Sequence, residues 1–142
     1  MTSDNVRLVR EGVQAYIDGD AQRALEMVHP DMVSTRVAPL PDPQTYHGIP
    51  GVIQMYADWT ADFDDFEMWI GECLEAGGDH VVVELVQRGT GKASGAPVEG
   101  RFWFVYEVAG GKTVRQEAYA SREQALKATG RTSAERPPRP TA

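Results

Sequence analysis

The stretch VEGRFWFVYEVAGGKTVRQEAYA, Val98 to Ala120, reads as two long strands folded about Ala109-Gly110-Gly111-Lys112. Paired glycines suit a tight turn, and Phe, Trp, Val and Tyr favour a pleated surface, so a hairpin is the economical reading. One register puts Phe102, Phe104, Tyr106, Val114, Gln116 and Ala118 on one face. Arg101, Trp103, Val105, Glu107, Arg115, Glu117 and Tyr119 then share the other. Both faces are substantially apolar, so the sheet needs covering twice: helices and a ligand cavity on one side, a partner subunit on the other. The face taken as the inner one carries no acid, which limits the chemistry it can perform.

Outward from the hairpin, the chain is one domain by its 142 residues, with the 42% hydrophobic and 25% charged composition of an ordinary globular protein. A formal charge of −7 argues against a nucleic-acid partner, because phosphate binding needs clustered Lys and Arg. Cys73 is the only cysteine, which excludes an intrachain disulfide and a paired-cysteine metal site. The stretch MTSDNVRLVREG has no apolar core flanked by basic residues, and no apolar run reaches the roughly 18 residues of a membrane span. The expected compartment is the cytoplasm, with no membrane partner.

Val6, Val9, Val13, Tyr16 and Ile17 recur at helical spacing behind a Ser3 or Asp4 cap, predicting a helix over about 4–18. Gly19 ends it, and Asp20 caps a short second helix, AQRALEMV, stopped by His29-Pro30-Asp31. Met32 to Val37 reads as a strand, and three prolines between Ala38 and Pro43 force a loop. A third helix starts near Pro50 and carries Val52, Met55, Tyr56, Trp59 and Phe63 along one side. Strands follow from Phe66 to Glu75 and from His80 to Arg88, and a glycine-rich connection, Gly89 to Pro97, leads into the hairpin. Ser121 and Gln124 have capping-box spacing before a last helix that stops at Gly130, so the domain spans 1–130. The remainder, 131–142, is polar and proline-rich and reads as a disordered tail.

This order resembles the nuclear transport factor 2-like superfamily, and its SnoaL-like branch in particular. The residues that carry the resemblance are Gly19-Asp20, His29-Pro30-Asp31, Tyr46-x-Gly48-x-x-Gly51-Val52, Asp58-Trp59 through Phe63-Asp64-Asp65-Phe66, Val81-Val82-Val83 and Arg88-Gly89-x-Gly91. Gly111-Lys112-x-Val114-Arg115, Tyr119 and Arg122-Glu123-x-Ala125-Leu126 complete it. The resemblance implies an α+β fold, a curved antiparallel sheet wrapped around three helices in a cystatin-like cone. It does not choose an activity, since the superfamily holds isomerases, polyketide cyclases, epoxide hydrolases, dehydratases and non-catalytic binders.

The acids of the family's enzymes are missing where the resemblance places them. The tyrosine of ketosteroid isomerase-type members falls near Gly12, their aspartate near Arg36 and their second acid near Phe104. The last-strand aspartate of the epoxide hydrolase and cyclase kind falls at Ala118, with Glu117 turned away unless the register slips by one. No catalytic residue, metal ligand set or cofactor is therefore assigned. The candidate ligand-binding residues are Arg36, His47, Tyr46, Met55, Trp59, Phe102, Phe104, Tyr106 and Gln116. Arg36 suits a carboxylate, phosphate or enolate oxygen, or else an internal ion pair, and His47 titrates near neutrality or is a hydrogen-bonded loop residue. The aromatics line a cavity or fill a core.

Three functions stay open: a binder of a small apolar molecule with a polar end, a cofactor-free isomerase, cyclase or hydrolase, and a structural dimer with a filled cone. Trp103, Val105 and Tyr119 among charges mark the expected homodimer face.

Overall fold

The computed structural model of the chain describes residues 4–40 and 43–129. Its strands are β1 (Val28–Arg36), β2 (Gln44–His47), β3 (Phe63–Ala76), β4 (His80–Gly91), β5 (Pro97–Ala109) and β6 (Lys112–Tyr119). They form one six-stranded sheet in the order β2-β1-β6-β5-β4-β3. All neighbours are antiparallel except β1 and β6, which run parallel. The helices are α1 (Asp4–Ile17), α2 (Ala21–Glu26), α3 (Gly48–Thr60) and α4 (Arg122–Thr129).

The β5–β6 hairpin has the register that its alternation predicts: Phe104 pairs with Ala118, Tyr106 with Gln116 and Trp103 with Tyr119. Gly110 (φ 58) and Gly111 (φ 75) make its turn in the left-handed region, where a side chain is strained. Ala118 therefore faces inward and Glu117 outward, so no register slip restores an inner acid.

Val81, Val83, Leu85, Phe104, Tyr106 and Ala118 meet Val9 and Val13 of α1 and Met55 of α3 in the main core. Outside the sheet, Val82, Val105 and Tyr119 pack on Ala125 and Ala128 of α4. The helix is started by Ser121, whose hydroxyl accepts the Gln124 N–H at 3.1 Å. Three helices thus line the inner face, and the fourth supplies part of the outer cover.

Several boundaries depart from the sequence reading. The second helix ends at Glu26, because Thr113 of β6 takes the Met27 carbonyl through its N–H at 2.7 Å and its hydroxyl at 3.1 Å. β1 then starts at Val28 and contains His29-Pro30-Asp31; Pro30 is tolerated because the pairing with β6 shifts register between Val28 and Val33. The short β2 was not foreseen. Only four residues long, it is held by pairing with Val33 to Arg36, a contact invisible to local pattern. β3 starts at Phe63, with a register shift between Asp64 and Glu67, and the β4–β5 ladder runs on until Thr90 pairs with Pro97. The Ser3 cap, the Gly130 stop and the 131–142 tail lie outside the described residues. Among the described residues, no helix is long and apolar enough to cross a membrane.

Candidate functional site

The helix α3 divides the inner space. On one side, a cavity of about 240 Å³ lies between α1, α2 and α3, and its wall is mainly aliphatic: Val13, Ala24, Leu25, Val28, Val52 and Ile53. Tyr16, Tyr56, Thr60 and Gln116 are the polar side chains in that wall. On the other side, a cavity of about 310 Å³ opens where α3 ends, lined by Arg36, Gln44, Asp58, Trp59, Gln87 and Phe102 among others. We call them the helix cavity and the end cavity.

Between them the cone is filled. Tyr16 and Tyr56 rings stand 4.3 Å apart, Tyr56 and Phe104 6.5 Å, Phe104 and Trp59 5.5 Å, and Trp59 and Phe102 4.9 Å. Such offset and edge-on contacts each add about 0.5–1.5 kcal/mol to the burial of the rings. Met55 and Tyr106 are fully buried beside this layer.

Gln116 is the polar hub of the helix cavity. Its Oε1 accepts from the Tyr56 hydroxyl at 3.4 Å, and its Nε2 donates to Ser34 Oγ at 3.0 Å. The Tyr56 and Tyr106 hydroxyls lie 3.4 Å apart. Burial pushes the Tyr56 phenol up to about 12 and Tyr106 well above its ordinary value, and Tyr16 is raised for the same reason. These phenols therefore stay protonated at neutral pH, and Tyr56 donates its hydrogen to Gln116.

In the end cavity, the Arg36 guanidinium lies 4.9 Å from the Trp59 ring centre, within cation–π range. Trp59 Nε1 donates to Gln87 Oε1 at 2.6 Å. The Asp58 carboxylate accepts from the Tyr46 hydroxyl at 2.7 Å and from Gln54 Nε2 at 2.7 Å. Those two bonds, helped by the Arg36 charge, hold its carboxyl below the usual range, so it is ionised and a weak base.

The single site read from the sequence is thus distributed over several places. Arg36, Trp59 and Phe102 line the end cavity, and Gln116 lines the helix cavity. Met55, Phe104 and Tyr106 belong to the core between them. Tyr46 braces Asp58, and His47 is exposed at the start of α3 without a side-chain capping bond. Gly12, which the resemblance placed at a family catalytic position, lies beside the helix cavity, and Arg36 and Phe104, placed likewise, are buried.

The ligand-binding set left out Tyr16, Tyr56, which was read only as an aromatic of cavity or core, and Asp58. The first two belong to apolar stripes at helical spacing, which signal burial without telling core from cavity wall. Asp58 gave no signal, because its partner Tyr46 is twelve residues away. Among the described residues, no cluster of three or more potential metal ligands is present.

The sequence profile of the SnoaL-like domain matches residues 9–116. No curated protein matches the chain. Similar solved structures include an NTF2-like protein of unknown function from Burkholderia pseudomallei, 23% identical, covering 89% of this chain and 97% of that one, with a TM-score of 0.71. Another is a putative SnoaL-like polyketide cyclase from Jannaschia, 19% identical, covering 91% and 96%, with a TM-score of 0.69. TerC, co-crystallised with polyporic acid, is 20% identical, covers 91% and 100%, and has a TM-score of 0.71. These structures share the fold, and the sequence match covers well over half of the chain: it belongs to the SnoaL-like domain family.

Proposed function

We propose that the chain is a cytoplasmic binding protein that holds a small, mostly apolar molecule in the helix cavity, its polar end toward the Tyr56 hydroxyl and the Gln116 amide. The observation that carries this reading is the aliphatic cavity of about 240 Å³ whose polar side chains include Tyr56 and Gln116. A dry cavity of about 150 Å³ already holds benzene, so this one suits a substituted or bicyclic ring. Among the described residues, the titratable groups of its wall are Tyr16 and Tyr56, both with raised phenol pKa values. That favours binding over the cofactor-free isomerase, cyclase or hydrolase alternative, which requires a general base worth roughly 10²- to 10⁴-fold.

A second reading places a ligand's acidic end at Arg36 in the end cavity, supported by the guanidinium seated over Trp59. Calorimetric titration with a matched pair, neutral 4-propylphenol and 4-propylbenzoate, which carries the acidic end, separates the two. Under the first reading Gln116→Leu weakens binding about three- to tenfold, the value of one hydrogen bond, and Arg36→Met leaves it unchanged. The reverse pattern favours the end cavity. Absence of binding, together with native mass spectrometry of fresh protein that shows no retained molecule, removes the binder and leaves the filled-cone structural protein.

A further inference from the structure

The helix cavity stops at Met27. Gly12 of α1 and Met27, just past α2, both line it, and both also line a smaller cavity of about 140 Å³ that Leu8, Glu11, Arg23 and Glu26 complete. The thioether rests against the bare backbone of Gly12: a Cβ there would stand 1.9 Å from Met27 Sδ. The absence of a side chain at residue 12 is what makes room for the sulfur between the two spaces.

The backbone of Met27 is pinned independently of its side chain. Its carbonyl accepts two bonds from Thr113, at 2.7 Å and 3.1 Å, and its N–H donates to the Leu25 carbonyl at the end of α2. Substitution at residue 27 therefore alters the partition and leaves the anchoring bonds in place. The side chain is only partly buried, unbranched and adaptable, so truncating it empties space that is not sealed by other core residues.

We propose that Met27 is the specificity-determining residue of the helix cavity, the partition that sets the longest apolar tail the ligand can carry. This rests on the helix cavity being the ligand site. Without the thioether, the two cavities become one elongated space that runs past Gly12 toward Arg23, and it takes a ring bearing a linear chain in place of a compact molecule.

The test is calorimetric titration of the full chain with 4-n-alkylphenols from propyl to octyl. Affinity climbs about fourfold per methylene while the tail finds apolar wall, and in the native chain the climb levels off at a limiting tail. Met27→Ala carries it at least two methylenes further. Met27→Leu, which keeps the volume, holds the native limit. An unchanged limit in a folded Met27→Ala variant overturns the assignment, as does a native chain that shows no limit. If no alkylphenol of any length binds the native chain, the ligand site itself falls; a limit that ignores Met27 removes the partition alone.

Discussion

Tyr46, a candidate ligand contact in the sequence, shapes the end cavity by bracing Asp58. The phenol donates to Oδ2 from β2, Gln54 donates to Oδ1 from one turn earlier on α3, and the carboxylate is held ionised beside Arg36. A carboxyl whose folded pKa is depressed stabilises the fold above its unfolded value, roughly pH 4, and that contribution is lost as pH falls through the folded value. Tyr46→Phe removes the largest cause, so the Asp58 titration followed by carbon NMR moves up. The stability gap between native and Tyr46→Phe proteins also narrows below about pH 4. An Asp58 titration that stays in place in the variant would show that Gln54 alone sets it.

Elements act through the two faces they present. On the inner face of β5, Phe104 is 1% exposed and touches Tyr56, Trp59 and Tyr106 rings, so Phe104→Ala costs about 3–5 kcal/mol in denaturant unfolding. Three residue pairs further along, the outer face buries charge instead. Glu107 lies between His80 and Arg115, each 3.6 Å from its Oε1, and all three are nearly inaccessible. Cross-strand pairing creates this cluster, since Glu107 is opposite His80 on β4 and Arg115 on β6. Glu107→Gln withdraws the carboxylate from a buried guanidinium and costs about 3 kcal/mol. A loss below about 1 kcal/mol would mean that other contacts carry Arg115.

At the scale of the molecule, the outer face is covered only in part. α4 buries Val105 and Tyr119, two of the three residues expected at a homodimer face, so only the remainder of that face is open to a partner. Toward the β3 edge, Trp69 is 40% exposed, with the Arg88 guanidinium 5.6 Å from its ring centre, and Trp103 is half-buried near the Arg101–Glu84 ion pair. An apolar strip rimmed by charge fits a twofold partner, and sedimentation velocity at micromolar concentration is expected to show a dimer that Trp69→Glu splits into monomers. A native monomer would leave α4 as the cover that matters.

The sequence by itself determined the strands other than β2, though not all their ends, the inward and outward residues of the hairpin and the class of fold, because a period of two and a glycine turn specify which side chains share a face. The resemblance read from it implied that Gly12, Arg36, Phe104 and Ala118 stand where family enzymes carry their catalytic groups. Only the tertiary structure decided that Arg36 and Gln116 serve different cavities, that Phe104 and Tyr106 are filling between them, and that Met27 lies against Gly12. Whether an apolar stripe becomes core or cavity wall depends on what packs opposite it. For α3 those opposing surfaces are α1, α2 and β6 on one side and β1, β4 and β5 on the other, and no local pattern contains them.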